Sequence, residues 1–378
     1  MLAEILEQPR TLQSTLDRYT DGDRFREEAC APARAWLRQS RSMLTMAASG
    51  SSRHACMVAA LAFADRCGIA AEVQYASEFI YRRERANAGV PVLVVSQSGE
   101  TADTLAALRH AEGSGRATLA ITNVEGSSMD SEAANRMPTV TGRERAVPAT
   151  KSFTAQLLAL HLLTLLAEET VATTSHTTTS AVSSAINTSA ATIAALAACR
   201  SLASRIEAQL DRWQATATAA AKIFATAQSA LFLGRGAHFP IALEGALKLA
   251  ETAYIPAQGM PGGELKHGPN ALVDPATPLV MLMTHDPGDE AAFARYERML
   301  ALLEDMHAQG ATVVAVANAD DRATAALTPH VIPVETAPEA LLPLLTIIPL
   351  QMLAYRIAVD RGLNIDRPRN LSKAVLSE

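Results

Sequence analysis

"VLVVSQSGET", Val92 to Thr101, sets four apolar residues directly against hydroxyls, an amide, a glycine and an acid. The apolar run suits a strand buried on both faces. A helical pattern, "TADTLAALRHAEGSG", begins as soon as the polar cluster ends. In an open parallel sheet, ligands bind beyond the carboxyl ends of the strands. "SQSGET" has that place and a fitting composition. Ser96, Ser98 and Thr101 offer hydroxyls, Gln97 an amide and Gly99 a close turn. The helix expected from near Thr101 would aim unpaired N–H groups at the same spot, as at phosphate sites. The plainer reading is a helix N-cap, for which one hydroxyl is enough. Three hydroxyls and an amide favour phosphate. "ASGSSRHA", Ala48–Ala55, ends the preceding strand in the same style. Gly50, Ser51 and Ser52 therefore either face the same ligand or form an ordinary turn.

On either side, strand and helix patterns alternate. "MLTMAAS", "VLVVS" and "TLAIT" read as strands, and "MPTV" (Met137–Val140) as a weaker one. "HACMVAALAFADRCG" and "TADTLAALRHAEGSG" read as helices, each closing on glycine. The pattern recurs from "ALFLGRG", through the helix-like "PIALEGALKLAETAY", to the strands "LVMLM", "TVVAVAN" and "VIPVE". Alternating β and α elements imply parallel sheets covered on both faces. The expected fold class is α/β, with two copies of one doubly wound unit starting near Met43 and Leu231. One continuous sheet is the alternative. The expected organisation is a helical segment (1–42), a first unit (43–169), a linker with a connecting helix (170–215), a second unit (216–360) and a tail (361–378). Within the linker, "TTSHTTT" reads as a loop. From Ser183 onward Ile186, Ile193, Leu196, Leu202 and Ile206 recur at helical spacing and predict a helix lying across the two halves.

Composition narrows the function. At 378 residues and 49% hydrophobic, the chain exceeds one ordinary core and fits two domains. Net charge is −6 with no basic block, so no nucleic-acid partner is expected. No run reaches the ~18 uninterrupted apolar residues of a membrane span, so no membrane partner is expected. "HLLTLLAEET" and "LLPLLTIIPLQMLAY" read as buried helices. The four cysteines lack metal-ligand or CxxC spacing and read as reduced thiols of a cytoplasmic protein. No metal or other cofactor is expected.

"SQSGETADTLAALR", "LFLGRG…PIALEGALKLAE", "GELKHGP" and "DRPRNLSKAV" together resemble the SIS (sugar isomerase) domain family. In order, they are similar to the isomerase half of the glutamine:fructose-6-phosphate aminotransferases. The SIS-type glucosamine-6-phosphate deaminases share the pattern. On residues alone, Glu244, Lys248 and Glu251 fall on one helix face, which could be a solvated charged stripe. The resemblance implies that Glu251 shuttles a proton between sugar C1 and C2, with Lys248 beside it near the open-chain oxygens. It implies that His267 opens the sugar ring and reaches it from the neighbouring subunit of a homodimer with shared active sites. It implies that Lys373, carried on a tail folded over the sugar, can react with a ketose carbonyl. Val147 and Ala149 are implied sugar contacts, although the family often has serine where Ala149 stands. Gly50, Gly99, Glu244 and Glu264 are implied supports. The substrate implied is a small sugar phosphate.

Two departures from the aminotransferase pattern suggest that the reaction differs. Ser49 stands where the aminotransferases have cysteine, and "AQGMPG" precedes "GELKHGP". A chain that starts near the isomerase region is expected to work without a built-in glutaminase. The expectation is a glucosamine-6-phosphate deaminase. The alternatives are a deaminase or deglycase for another phosphorylated amino sugar, bare aldose–ketose isomerisation, a synthase subunit fed by a separate glutaminase, and a sugar-phosphate sensor.

Overall fold

The computed structural model describes residues 1–40, 42–82, 89–175 and 189–374. The chain divides into two compact units. The first holds residues 8–144, 151–203 and 374–378; the second holds 1–7, 145–150 and 204–373.

In the first unit a short hairpin, β1 (Thr20–Asp21) and β2 (Arg24–Phe25), precedes a parallel sheet. The sheet strands are β3 (Met43–Ala48), β4 (Ala70–Tyr75), β5 (Val92–Val95) and β6 (Thr118–Ile121), in spatial order β4-β3-β5-β6. Every residue of β5 and β6 is buried, as an apolar run covered on both faces requires. The helix Gly50–Cys67 closes on Gly68 in the left-handed conformation, as predicted. The 25-residue helix Lys151–Ser175 packs against that helix and against Gln8–Tyr19. Its Leu162, Leu163, Leu165 and Leu166 are buried, each contributing roughly 1.5–3 kcal/mol of apolar burial.

The second unit repeats the topology. Its strands are β7 (Ala230–Gly234), β8 (Ala257–Pro261), β9 (Leu279–Leu282), β10 (Val313–Asn318) and β11 (Val331–Val334), all parallel, in order β11-β10-β9-β7-β8. Strand for strand, β4-β3-β5-β6 matches β8-β7-β9-β10. Two separate sheets replace the alternative of one continuous sheet. The stretch Glu339–Asp360 is long and apolar enough to cross a membrane, but 83% of its apolar window is buried inside the protein. It is the core helix that "LLPLLTIIPLQMLAY" predicts.

Several expectations need correction. Met137–Val140 forms no strand. Arg136 makes an isolated bridge to Ala120, and the amides of Met137 and Thr139 donate to the carbonyls of Ala120 and Thr122. Pro138 has no N–H to continue a ladder. This stretch occupies the position that β11 holds in the second unit. The glycine- and proline-rich stretch after Tyr254, whose composition is that of a loop, contains β8 and a 3-10 turn, Gly262–His267. Gly259 is required in β8, because a Cβ there would lie 2.5 Å from Leu243 Cα of the helix His238–Ala253. Residues Thr173–Ser175 of "TTSHTTT" belong to the end of the long helix, and the rest lies outside the described residues. Of the predicted connecting helix, Ala190–Glu207 is present, with Leu196, Leu202 and Ile206 buried. Ile186 lies outside the described residues. Of the expected N-terminal helical segment, Leu2–Leu6, Gln8–Tyr19 and Glu27–Leu37 are helices, with the β1–β2 hairpin between the last two.

Candidate functional site

In the first unit the sheet order switches direction between β3 and β5, which lie side by side with Ala48 opposite Val95. The segments leaving these two strands, Ser49–Ser52 and Ser96–Thr101, are therefore neighbours at the carboxyl edge, where an open sheet binds its ligand. Ser51 and Ser52 lie in the first turn of the 18-residue helix Gly50–Cys67. Ser96 is buried; Gln97, Ser98 and Thr101 are half-buried.

The geometry speaks against the simple N-cap. Thr101 occupies the cap position of the helix Ala102–Gly113 but makes no side-chain capping bond. Its hydroxyl instead lies 3.2 Å from that of Ser96 and 3.5 Å from that of Ser98. The Gly99 amide donates to Ser96 Oγ at 3.2 Å, and the Glu100 amide to Ser98 Oγ at 3.1 Å. The result is a tight nest of neutral donors and acceptors. Gly99 has φ +68°, and a Cβ there would lie 2.1 Å from Ser127 Oγ. Glu100 holds the loop from outside, accepting from the amide and hydroxyl of Ser128 at 2.8 Å each. Ser127, Ser128 and the structural role of Glu100 were missed in the sequence, because their contacts join residues about 28 positions apart.

In the second unit the helix His238–Ala253 carries Glu244, Lys248 and Glu251. The solvated-stripe alternative fails, since Glu244 and Lys248 are both 0% exposed. Lys248 Nζ lies 2.5 Å from Glu251 Oε2 and 3.4 Å from Glu244 Oε1. Burial works against the charge on Lys248. The carboxylates of Glu244 and Glu251 together outweigh it and hold the ammonium's pKa above its ordinary value. Lys248 is thus a permanent buried cation, and Glu251 is the partly exposed end of the triad. Ala242, Ala246, Leu249 and Ala253 are buried in the core.

Other predicted residues fall elsewhere in this unit. His267 and Glu264 lie exposed on the turn Gly262–His267, and no hydrogen bond or ion pair joins His267 to Glu251. Val147 and Ala149 lie half-buried in the 145–150 segment. The buried carboxylate of Glu4 fixes that segment, accepting from the backbone amides of Arg145 and Ala146. The Val147 amide donates to the Asp366 carbonyl at 3.0 Å, linking the segment to the stretch that ends in the half-buried Lys373. Glu4 carried no signal that short-range spacing could reveal.

At the carboxyl ends of β7 and β9, the second unit has its own crevice, lined by Arg235, His238, Thr284, Arg295 and Glu339. Arg295 donates to Glu339 at 2.8 Å. His238 Nε2 lies 2.7 Å from Thr284 Oγ1, and burial pushes the imidazole pKa below its ordinary value. Among the described residues, no cluster of His, Cys, Asp and Glu could hold a metal ion. The four cysteines are unpaired; burial pushes the thiols of Cys30 and Cys199 up to about 12 and that of Cys67 up to about 11. None is a thiolate nucleophile near neutral pH.

Comparison with known proteins fits this geometry. The model of the SIS domain matches residues 37–166 and 223–361. The glutamine–fructose-6-phosphate aminotransferase of Gloeobacter violaceus is 39% identical over the whole chain, and that of Pseudomonas putida is 40% identical. The chain spans 58% and 59% of the lengths of these two relatives. Among solved structures, the C-terminal domain of glucosamine-fructose-6-phosphate aminotransferase from Francisella tularensis matches with a TM-score of 0.86 and 29% identity, covering 97% of each chain. A glucosamine-6-phosphate deaminase from Thermotoga maritima shares the fold, with a TM-score of 0.71 and 22% identity over 99% of this chain and 98% of its own. With both α/β units and well over half of the residues matched by the family model, the chain belongs to the SIS domain family.

Proposed function

We propose that the protein is an enzyme acting on a sugar phosphate, and specifically a glucosamine-6-phosphate deaminase that forms fructose 6-phosphate and ammonia. The observation that carries this reading is the buried Lys248 ammonium held 2.5 Å from the Glu251 carboxylate. A fixed carboxylate beside a permanent cation suits proton transfer between adjacent carbons, because the negative charge that develops on oxygen meets a positive group already in place.

The Ser96–Thr101 nest would take the phosphate. His267 opens the ring, and its exposed imidazole is free to serve a second copy of the chain. Glu251 then removes the C2 proton while the aldehyde oxygen gains one, giving an enaminol. Protonation at C1 by Glu251 leaves an iminium at C2. Water adds there, and ammonia leaves. Hydrogen moves from C2 to C1 on an unchanged carbon skeleton, so C1 is reduced as C2 is oxidised and no redox partner is needed. Lys373 either positions the open-chain sugar or engages its carbonyl.

The test is ammonia release from glucosamine 6-phosphate by the pure protein, with Glu251→Gln as control. Turnover should fall by about 10²–10⁴ in that variant, with substrate binding retained. Folded wild-type protein that releases no ammonia at millimolar substrate defeats the reading. Sedimentation at micromolar concentration checks for the dimer.

A second reading is favoured by the 39–40% identity to aminotransferases: the same steps run toward glucosamine 6-phosphate, with ammonia supplied by a separate glutaminase. Microscopic reversibility assigns both directions to the same residues. Glucosamine 6-phosphate formed from fructose 6-phosphate only when a glutaminase is added would select this reading.

A further inference from the structure

Among the described residues, two non-glycine residues have positive φ: Tyr254 at 56° and Asn370 at 61°. Asparagine tolerates this conformation, whereas a bulky aromatic residue there is an outlier. Tyr254 ends the helix His238–Ala253 in the left-handed position that glycine usually takes. A side chain kept at such a position calls for a reason in what it touches.

The first outlier touches the residue just before the second. The Arg369 amide donates to the Tyr254 hydroxyl at 2.7 Å. The Arg369 guanidinium lies 4.3 Å from the centroid of the Tyr254 ring. Tyr254 thus grips both the backbone and the side chain of one residue. Asn370 turns the chain immediately afterwards, and Lys373 follows three residues on. The segment is also held at Asp366, seven residues before Lys373, whose carbonyl accepts from the Val147 amide and whose carboxylate pairs with the Met1 ammonium. Arg361 steadies the same helix end, donating to the carbonyls of Ala253, Phe224 and Ala227. Arg369 itself is exposed, so the grip forms in solvent and is open to local release.

We propose that Tyr254 is a positioning residue: it clasps the segment bearing Lys373 to the end of the helix bearing Glu251, three residues from Glu251 itself. The inference rests on the amino-sugar reading for its catalytic consequence, but the clasp stands on geometry alone. A glycine at this position would relieve the backbone and lose the grip.

The test pairs hydrogen exchange with kinetics on the full chain. Tyr254→Phe keeps the ring and removes the hydroxyl acceptor. Amide exchange across 369–371 should become at least about tenfold faster. Turnover of glucosamine 6-phosphate should fall about 10- to 100-fold, with KM and melting temperature little changed. Tyr254→Gly should melt no lower than wild type and yet turn over as slowly. Arg369→Ala keeps the amide bond and should show a smaller loss. Unchanged exchange in Tyr254→Phe overturns the clasp. Faster exchange with unchanged kcat overturns the positioning role. A wild-type protein that releases no ammonia removes the catalytic half of the inference, while exchange still decides the clasp.

Discussion

The two units share a strand order and differ in what fills their carboxyl edges. In the first, the edge carries neutral groups, with the hydroxyls of Ser96, Ser98 and Thr101 bonded to one another and to the loop amides. In the second, the corresponding crevice holds a charged pair, Arg295 with Glu339, and the helix that starts there carries a further buried cation between two carboxylates. A nest of neutral donors can accept an anionic guest, since no internal counter-ion has to be displaced. Internally paired charges are already satisfied. They hold still, and they make the fold depend on them. A duplicated scaffold can thus carry a neutral nest in one copy and internally paired charges in the other.

The sharpest way to break this contrast is Lys248→Met. It leaves Glu244 buried and Glu251 half-buried without their cation and should cost about 3–5 kcal/mol of stability, read as a lower urea midpoint at neutral pH. A loss under about 1 kcal/mol would mean that the triad is effectively solvated and the contrast mistaken. Next in size is the first-unit loop. Ser98→Ala with Thr101→Val should weaken glucosamine 6-phosphate binding by about 10- to 100-fold, the worth of one or two hydrogen bonds to a charged group. The melting temperature should barely move, because these hydroxyls face one another and not the core. A binding constant equal to wild type would remove the loop as the phosphate receptor. The smallest effect tests whether the second crevice is a filled version of the first. Glu339→Ala frees Arg295 from its carboxylate. Inorganic phosphate at tens of millimolar should then stabilise the variant by about 1 kcal/mol more than wild type, seen as a larger rise in melting temperature. Equal rises in both proteins would show that the crevice is unsuited to anions even when unlocked.

Much of the fold was legible because parallel strands covered on both faces must be apolar. "VLVV", "TLAI", "LVML" and "VVAVA" announce β5, β6, β9 and β10 without help from context. The edge strands β4 and β8 were hidden. β4, "AAEVQY", is half-exposed with mixed polarity, and β8, "AQGMP", contains the glycine and proline that mark loops elsewhere. The opposite error occurred at "MPTV", whose apolar character reflects burial beside β6 and not ladder pairing.

The site was legible in parts. The hydroxyl-rich loop and the three-and-four spacing of Glu244, Lys248 and Glu251 are local patterns, and local patterns survive in a one-dimensional string. Whether that charged face meets water or the core is not local, and neither is the exposure of His267.

The amino-acid order alone determined that this is a twice-repeated α/β chain with a polar nest after one central strand and an acid–base–acid face on one helix, because both follow from periodicity and near-neighbour chemistry. Only the folded chain decided that Lys248 is entombed with its carboxylates, that Glu4 pins the 145–150 segment, and that Tyr254 adopts a left-handed backbone to grip Arg369. The first depends on what packs over a helix face, the second joins groups far apart in sequence, and the third sets a backbone angle against its residue's own preference. Such features arise only when distant packing outweighs local propensity.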